Sequence, residues 1–257
     1  MFKKNKMKII SIFGVTGSVG MSTQKLIKMN SKKFKVDTIV ANNDLKGLIK
    51  AAKYLKPNFV IINNDKMFMQ LKKSLEGYSI NIASGNDAIL EASKRKVDIF
   101  VAAISGFAGL NSTFNAIGNA KCIALANKES IVCAGPILLN KVKNSNSKII
   151  PIDSEHNTLY QILANVNIDS ISKVIITGSG GPFRGFSSKK LNKVTLEEAI
   201  NHPIWKMGKK ISVDSATLMN KGLELIEAAY LFNINQKNID IIIHPESIIH
   251  GIVEFKD

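Results

Sequence analysis

The chain has 257 residues and a formal net charge of +15, with 45% hydrophobic and 21% charged residues. This balance is typical of a globular protein with a sizeable core, so it excludes the disordered, collagen-like and disulfide-scaffold classes. No apolar run reaches the ~18 residues of a membrane span, and the length favours one to two domains. Two cysteines are too few for a disulfide framework or a zinc site, so we expect a reducing, cytoplasmic location.

The positive charge raises the question of nucleic-acid binding, because a basic chain is its usual first sign. However, 33 of the 35 basic residues are lysine, and the two arginines are Arg95 and Arg184. Recognition of bases and phosphates usually recruits arginine, whose planar guanidinium makes paired hydrogen bonds. The lysines are also spread along the whole chain. We therefore predict no nucleic-acid partner, and a positive field that attracts anionic ligands such as phosphates.

In the first 150 residues, apolar runs rich in β-branched residues alternate with amphipathic, lysine-faced stretches. The apolar runs predict buried strands at 8–13, 36–41, 58–62, 97–104 and 122–126. The stretches between them predict helices at 22–29, 45–54, 66–75, 87–94 and 109–117. Strands that alternate with helices form parallel sheets covered on both faces. We therefore predict an α/β domain, residues 1–150, built on a doubly wound parallel sheet.

The pattern changes in the second part of the chain. Strands are predicted at 148–152 and 173–177, a long helix at 215–232, and strands at 239–243 and 248–255. These elements predict a second, α+β domain over residues 151–257. The final strand needs a sheet partner, so either earlier strands close this sheet or the chain is a fragment.

A glycine-rich segment, GVTGSVG at 14–20, lies directly between the first predicted strand and the first predicted helix. Glycines allow the backbone to approach a pyrophosphate closely, and a helix N-terminus offers free N–H groups. The spacing is GxxGxxG rather than the usual GxGxxG, but the position after a first strand is the expected one. The segment predicts dinucleotide binding; a tight strand-to-helix turn is the alternative.

The second predicted strand is followed by Asn42, Asn43 and Asp44, at the place where such sheets recognise the cofactor ribose. An acidic residue there favours a free 2′-hydroxyl, so Asp44 favours NAD. A cation accommodates a 2′-phosphate, so Lys46 favours NADP. The residues alone leave both cofactors open.

A short polar segment, ANKES at 126–130, follows the fifth predicted strand. Ligands of open α/β sheets bind beyond the carboxyl ends of the strands, so Lys128 and Glu129 are candidates for contact with substrate and cofactor. A helix cap with an adjacent ion pair explains the same residues equally well.

Two carboxylates, Asp153 and Glu155, lie two residues apart at the end of the strand predicted at 148–152. If the backbone is extended there, both side chains point the same way. Paired carboxylates need a compensating cation, and hard oxygen ligands suit Mg²⁺ or Mn²⁺. The alternative is an N-cap cluster, in which Asp153 or Ser154 caps a helix at 158–163.

A second glycine-rich segment, TGSGGPFR at 177–184, follows a predicted strand. Its successive backbone N–H groups are suited to form an anion-binding nest. Downstream, Trp205 lies in a segment with proline and glycine at its ends, a composition typical of a mobile lid. An ordinary surface loop is the alternative.

The helix predicted from Ser215 places Asn220 and Glu224 one turn apart on one face, with Lys221 beside them. A carboxylate, an amide and an ammonium gathered there suit a metal ion and a phosphate. Gly222 lies in mid-helix, where glycine costs up to ~1 kcal/mol relative to alanine, so a packing or ligand reason is expected. A solvated helix face is the alternative.

The chain contains, in this order, GVTGSVG, ANKES, PIDSEHN, TGSGGPFR, HPIWKMGKKISVDSATLMNKGLE and HPESIIHG. Together these motifs resemble the 1-deoxy-D-xylulose 5-phosphate reductoisomerase family over residues 8–257. The resemblance implies a Rossmann-like first domain, a catalytic second domain, NADPH and Mg²⁺ or Mn²⁺ as cofactors, and a homodimer without a membrane partner. It implies that a phosphorylated ketose is rearranged by retro-aldol cleavage and re-aldolisation, then reduced by hydride to 2-C-methyl-D-erythritol 4-phosphate.

The resemblance also implies roles for individual residues, position by position. The implied metal ligands are Asp153, Glu155 and Glu224, which form the catalytic set together with Lys128. The implied substrate contacts are Lys128, Ser154, Ser179, His202, Ser215, Asn220 and Lys221; Ser179, Ser215, Asn220 and Lys221 would hold the phosphate, and His202 would lie on a lid with Trp205. The implied cofactor contacts are Thr16, Gly17, Ser18, Val19, Asn43, Asp44, Asn127, Glu129 and Gly208.

The sequence departs from the family pattern at three places. Val15 replaces a serine of the glycine-rich loop, and Asn42, Asn43 and Asp44 replace a triplet that usually carries a basic or small residue. The chain also ends before the C-terminal helical domain of the family. We therefore expect that domain to be absent and the catalytic domain to be incomplete. An inactive, truncated dinucleotide-binding fragment is the alternative to a working enzyme.

Overall fold

A computed structural model describes residues 7–201 and 208–257 of the chain, which divides into two compact units, 1–150 and 151–257. Within the described ranges, no helix is both long enough and apolar enough to cross a lipid bilayer.

The first unit is built on a seven-stranded sheet with the order β4-β3-β2-β1-β5-β6-β7. The strands are β1 (Lys8–Phe13), β2 (Phe34–Ala41), β3 (Phe59–Ile62), β4 (Asn81–Ser84), β5 (Val97–Ala102), β6 (Ala120–Leu125) and β7 (Lys148–Pro151). The pairs β1–β2, β2–β3, β3–β4, β1–β5 and β5–β6 are parallel. The strand order reverses at β1, which creates the crevice where open α/β sheets bind ligands.

Helices connect these strands: α1 (Ser18–Met29), α2 (Leu45–Leu55), α3 (Phe68–Ser74), α4 (Gly85–Ser93), α5 (Leu110–Ala116) and α6 (Lys128–Lys143). The last four residues of β1 and the last six of β2 are buried without interruption, because helices cover both faces of the sheet. The α/β fold is thus confirmed, and the strands predicted for this unit differ from the observed ones by no more than two residues at either end.

Strand β4 and helix α6 were not among the predicted elements. β4 has four residues and none of them is fully buried, so it lacks the apolar run that marks the other strands. Helix α6 contains Pro136, and its backbone leaves the helical region at Ala134 (φ −142°, ψ 25°). A proline removes one helical hydrogen bond and kinks a helix, so a sequence pattern interrupted in this way does not predict a continuous helix.

An ion pair between the buried Asp37 and the partly exposed Arg95 ties the start of the parallel strands together. The Arg95 guanidinium donates to both carboxylate oxygens of Asp37, over 2.6 and 2.9 Å, and it lies 4.0 Å from the Phe59 ring centroid. The side chains of Asn58 and Thr38 also donate to Asp37. Burial alone raises the pKa of Asp37, but the hydrogen bonds outweigh burial and hold its pKa below the ordinary value.

We expect Arg95→Met to lower the free energy of unfolding by about 2–4 kcal/mol at neutral pH, because it leaves a buried carboxylate without its cation. A carboxyl group with a depressed folded-state pKa contributes stability above its unfolded pKa of ~3.9, and this contribution disappears as the pH falls. The destabilisation should therefore shrink below about pH 4. Urea titration at several pH values measures it. Lys94→Met, which removes an exposed pair with Glu91, should cost less than ~0.5 kcal/mol.

The second unit has a three-stranded sheet in the order β10-β8-β9. The strands are β8 (Ile171–Gly178), β9 (Ile239–Ile243) and β10 (Gly251–Phe255), and the helices are α7 (Ser154–Ile162), α8 (Ser188–Leu191), α9 (Leu196–Ile200), α10 (Lys209–Ala216) and α11 (Met219–Phe232). β8 pairs parallel with β9 and antiparallel with β10. The final strand thus finds its partner in β8, an earlier strand.

The core of the second unit lies between one face of this sheet and helices α7 and α11. It is formed by Leu159 and Leu163, Val174 and Ile176 of β8, Ala228 of α11, and Ile171, Ile234 and Ile239. The single helix predicted at 215–232 is wrong. The chain turns at Leu218, whose φ is +60°, so that α10 ends at Ala216 and α11 begins at Met219.

Candidate cofactor and metal sites

The glycine-rich loop forms the turn between β1 and α1. The N–H groups of Gly14 and Val15 both donate to the carbonyl of Val40 on β2, over 3.0 and 2.9 Å. Gly17 is the N-cap of α1, and Ser18 is its first helical residue. The first N–H groups of α1 therefore belong to this loop, at the positive end of the helix dipole.

The three glycines of the loop have different surroundings. A Cβ on Gly14 would lie 2.3 Å from the carbonyl oxygen of Ala103, and one on Gly20 would lie 2.3 Å from that of Gly14. The nearest such atom to a Cβ on Gly17 is 3.5 Å away. Gly14 and Gly20 thus allow the backbone to pack closely, whereas Gly17 keeps open space beside the helix N-terminus.

A cavity of about 310 Å³ lies at the carboxyl ends of β1, β2 and β5. Its walls include Gly14, Thr16 and Gly17 of the loop, Asn42 after β2, and apolar residues such as Ile104 and Ala108 after β5. The cavity lies at the reversal of strand order, with free helix N–H groups on one side and apolar walls on the other. These residues fit the pyrophosphate and the adjacent nucleoside of a dinucleotide. Of the predicted cofactor residues, Thr16 and Gly17 line this cavity, and Val19 packs against the core instead.

The residues after β2 are engaged in local hydrogen bonds. The side-chain oxygens of Asn42 and Asn43 accept from the amides of Asn63 and Asn64, each over 2.9 Å. Asp44 is the N-cap of α2, and its carboxylate accepts from the N–H of Gly47 over 2.9 Å.

Asn127 is buried and ties two loops of the first unit together. It is the N-cap of α6, where its side-chain oxygen accepts from the Ser130 N–H. Its amide group donates to the carbonyls of Ile104 and Gly106, over 2.6 and 2.8 Å, and to Glu129 over 3.2 Å. The cap interpretation of this segment is therefore correct for Asn127. Lys128 follows as the first residue of α6 and is 6% exposed.

In the second unit, Asp153, Glu155 and Glu224 bring one carboxylate oxygen each within 4.8 Å of the others. Asp153 is the N-cap position of α7 and Glu155 lies in its first turn, while Glu224 comes from α11. The expected extended strand is therefore wrong as the reason for their proximity, because α7 already begins at Ser154. The Asp153 side chain makes no capping hydrogen bond, and Ser154 donates to Glu155 over 2.6 Å.

Lys221 and Asn220 hold these carboxylates. The Lys221 ammonium donates to both Glu155 and Glu224, and the Asn220 amide donates to Glu224. Burial lowers the pKa of Lys221, but the two carboxylates outweigh burial and raise it above the ordinary value. Burial, Glu224 and Asp153 raise the pKa of Glu155, against the opposing effect of Lys221.

The donor set fits a divalent cation. Three carboxylates converge in a largely buried place. Carboxylates this close together favour a cation between them or protonation of one carboxyl, and an all-oxygen set suits Mg²⁺ or Mn²⁺. The i, i+4 spacing that predicted Asn220 beside Glu224 is confirmed.

Two residues beside this group were not predicted from the sequence as site residues. The His156 ring Nε2 donates to the carbonyl oxygen of Glu224 over 2.9 Å and lies 3.6 Å from Glu227. His156 and Glu227 are at most 1% exposed, and Asp153, His156 and Glu227 form a second group within 4.8 Å. The sequence contains a pattern that could have predicted Glu227, because it follows Glu224 by three residues and so lies on the same face of the helix. The histidine joins α7 to α11 and so fixes the backbone that carries Glu224.

The second glycine-rich loop packs against α10 and α11. A Cβ on Gly181 would lie 2.6 Å from the carbonyl oxygen of Ser215, and one on Gly178 would lie 2.8 Å from Cε of Lys221. The Gly181 N–H donates to the Ser179 hydroxyl over 3.3 Å. The structure thus brings the predicted phosphate residues Ser179, Ser215 and Lys221 to one region of the second unit, although Ser215 lies near the end of α10 and does not begin the next helix.

Three remaining predictions concern the segment before α10. Gly208 is the N-cap of α10, and no described residue lies within 4 Å of the position of a Cβ there. His202 and Trp205 lie outside the described residues. Open space also surrounds Gly222, so the expected packing reason for that glycine is absent among the described residues.

Two family models match the chain. The model described as 1-deoxy-D-xylulose 5-phosphate reductoisomerase matches residues 10–135, and the model of that enzyme's C-terminal domain matches residues 149–232. Curated relatives named 1-deoxy-D-xylulose 5-phosphate reductoisomerase, from Rhodopseudomonas palustris strain BisB18 and from Nitrobacter winogradskyi, are each 43% identical over 251 residues. These alignments cover 98% of the chain, which spans 62% of the length of those relatives.

Solved structures agree with this result. A DOX-P reductoisomerase in complex with NADPH, fosmidomycin and magnesium is 38% identical to this chain, with a TM-score of 0.91. The match covers 97% of this chain and 64% of the chain in that structure. The 1-deoxy-D-xylulose 5-phosphate reductoisomerase from Zymomonas mobilis in complex with NADPH is 42% identical, with a TM-score of 0.89. The match covers 98% of this chain and 65% of the chain in that structure.

Proposed function

Because this chain belongs to the 1-deoxy-D-xylulose 5-phosphate reductoisomerase family, we propose that it converts 1-deoxy-D-xylulose 5-phosphate to 2-C-methyl-D-erythritol 4-phosphate with NADPH and a divalent metal ion. The observation that carries the proposal is the convergence of Asp153, Glu155 and Glu224, which lie apart in the sequence and meet within 4.8 Å. Relatives of this chain form complexes with NADPH and magnesium.

The first unit would bind NADPH. The loop residues Thr16, Gly17, Ser18 and Val19 would hold the pyrophosphate through backbone N–H groups, because Gly17 leaves room beside the N-terminus of α1. The apolar walls of the 310 Å³ cavity would hold the neighbouring nucleoside. Asn43, Asp44, Asn127, Glu129 and Gly208 complete the proposed cofactor contacts.

The second unit would bind the metal ion and the substrate. Asp153, Glu155 and Glu224 would hold Mg²⁺ or Mn²⁺. When bound, the ion supplies a Lewis acid for the ketone and its neighbouring hydroxyl, and NADPH supplies the hydride. Asn220 fixes one oxygen of Glu224, and His156 fixes the backbone of the same residue, so this ligand is preorganised before anything binds.

The substrate phosphate would be held where Ser179, Ser215, Asn220 and Lys221 converge. Glycines at 178 and 181 allow the loop backbone to lie directly against Lys221 and Ser215. The Lys221 ammonium contacts the carboxylates of Glu155 and Glu224. Lys221 would thus present its positive charge to the substrate phosphate from a position fixed beside the metal ligands. Lys128, Ser154 and His202 complete the proposed substrate contacts.

We further propose that the protein is a cytoplasmic homodimer that associates through the open face of the three-stranded sheet. Helices α7 and α11 cover the opposite face. On the open face, Ile175 of β8 lies beside Ile252 of β10, and Thr177 lies beside Ile242 of β9. Ile242 and Ile252 are 45% and 39% exposed. An exposed apolar surface of this kind is typical of an association site.

The whole chain, purified and supplied with Mg²⁺ or Mn²⁺, is expected to oxidise NADPH only when 1-deoxy-D-xylulose 5-phosphate is present. Loss of absorbance at 340 nm measures the rate, and chelation of the metal should stop it. A chain that binds NADPH but shows no metal-dependent turnover would contradict the proposed reaction and support the alternative of an inactive dinucleotide-binding protein.

A further inference from the structure

A second cavity lies beside the cofactor groove and is lined by lysines. It has a volume of about 540 Å³ and lies between helices α1 and α2. Its lysines are Lys25 and Lys28 of α1 and Lys50 of α2, and Asp44 is its acidic residue. Thr16 lines both this cavity and the 310 Å³ cavity. The lysine-lined cavity therefore begins where the groove for the dinucleotide ends, next to the residues that follow β2.

The Asp44 carboxylate is engaged with its own helix. An acidic residue selects an unphosphorylated ribose by accepting hydrogen bonds from its hydroxyls. The Asp44 carboxylate instead accepts from the Gly47 N–H and lies over the first turn of α2. Its negative charge is partly neutralised by the N-terminal end of that helix. The acid that favoured NAD in the sequence is thus engaged as a helix cap.

The charges around this cavity favour an anion. Three lysines and one helix-capping carboxylate line it, and all three lysines are exposed. The Lys28 ammonium lies 5.6 Å from the centroid of the Tyr54 ring, so Lys25 and Lys50 are the two cations without this aromatic contact. A phosphomonoester carries a charge of about −1.5 to −2 at neutral pH, so it gains more from these lysines than an uncharged hydroxyl does.

Asn42 and Asn43, which directly precede Asp44, supply hydrogen-bond donors beside the dinucleotide groove. Their side-chain oxygens accept from Asn63 and Asn64. Because the oxygens are used in these pairs, the groups that remain on both side chains are NH₂ donors. Donors suit the oxygens of a phosphate, which accept hydrogen bonds.

We propose that the lysine-lined cavity binds the 2′-phosphate on the adenosine ribose of NADPH, and that Lys25 and Lys50 set the preference for NADPH over NADH. This inference rests on the proposed function, because it takes the glycine-rich loop as the site of the pyrophosphate. The cations that distinguish the two cofactors then come from the facing sides of α1 and α2, and the residues directly after β2 contribute donors only.

The test compares the binding of the two cofactors to the whole chain, without turnover. Dissociation constants for NADPH and NADH are measured by nucleotide fluorescence at ~0.15 M salt, where distant charges are screened. The wild type should bind NADPH at least tenfold more tightly than NADH. The double variant Lys25→Gln/Lys50→Gln should weaken NADPH binding about tenfold and change NADH binding less than twofold. The matched control Lys53→Gln, which removes a lysine of α2 outside the cavity, should change neither constant by more than twofold.

Competition with free nucleotides measures the contribution of the 2′-phosphate to binding. Adenosine 2′-phosphate should displace NADPH from the wild type more effectively than adenosine 5′-phosphate, and the double variant should lose this difference. Equal weakening of NADPH and NADH binding, an unchanged preference in the double variant, or no preference in the wild type would each overturn the proposal. A chain that prefers NADPH but does not turn over the ketose phosphate would contradict the proposed reaction but would still support this phosphate subsite.

Discussion

Glu224→Gln is expected to reduce metal-dependent turnover at least ~10³-fold, because a metal ion that acts as a Lewis acid contributes several kcal/mol to transition-state stabilisation. Glu224 is 1% exposed and supplies the one carboxylate of the group that comes from α11. Glutamine keeps the size of the side chain and can still accept from Asn220, but it removes the negative charge. The variant should therefore fold and lose its affinity for the ion.

Two measurements separate this loss from unfolding. Mn²⁺ binding, followed by electron paramagnetic resonance, should weaken by at least ~10-fold in the variant. The melting temperature of the metal-free protein should stay close to that of the wild type, because the substitution also relieves repulsion among three carboxylates. Glu76→Gln, at an exposed position in the first unit, should leave activity and Mn²⁺ binding unchanged. Full activity in the Glu224 variant would contradict the metal site.

The fold of the first unit was predictable from the sequence because the same strand-and-helix pattern occurs several times along it. Each buried strand gives an apolar run, and each crossover gives an amphipathic helix, so errors at single elements do not change the fold. The short strand β4 and the kinked helix α6 were missed because Asn81–Ser84 buries little and Pro136 interrupts the helical pattern. The family and the α/β class are confirmed in spite of these omissions.

The second unit shows what a local pattern cannot predict. The spacing of Asn220 and Glu224 gave a correct contact, because both lie on one helix and the helix fixes their distance. The pairing of Asp153 with Glu155 was correct for a different reason, since the helix begins earlier than expected. The contact between Lys221 and Glu155 joins residues 66 positions apart, and no periodicity in the sequence reports it.

The residues after β2 illustrate the same limit. From residue type alone, Asp44 favours NAD and Lys46 favours NADP. The structure shows that Asp44 caps a helix, and that the lysines beside it come from α1 and from a later turn of α2. Which charges face a ligand depends on how two helices pack, and this is a property of the fold rather than of any segment.

Gly20→Ala is expected to abolish NADPH binding, whereas Gly17→Ala should weaken it and leave the fold intact. A Cβ on Gly20 would lie 2.3 Å from the Gly14 carbonyl oxygen and 2.4 Å from that of Val15. Both are backbone atoms of the loop and cannot rotate away as a side chain would. The N-terminus of α1 would have to move away from the loop, which destroys the close approach that places its N–H groups beside a pyrophosphate.

Gly17 provides the matched comparison, because it lies in the same loop but 3.5 Å from the nearest atom that a Cβ would meet. Its φ of −75° is also accessible to alanine. A methyl group there would occupy the space next to the helix N-terminus without straining the chain. Fluorescence titration with NADPH and thermal unfolding of both variants separate the effects: Gly20→Ala should lose binding and stability together, and Gly17→Ala should lose affinity at an unchanged melting temperature. If Gly17→Ala binds NADPH as the wild type does, the pyrophosphate does not lie against this loop.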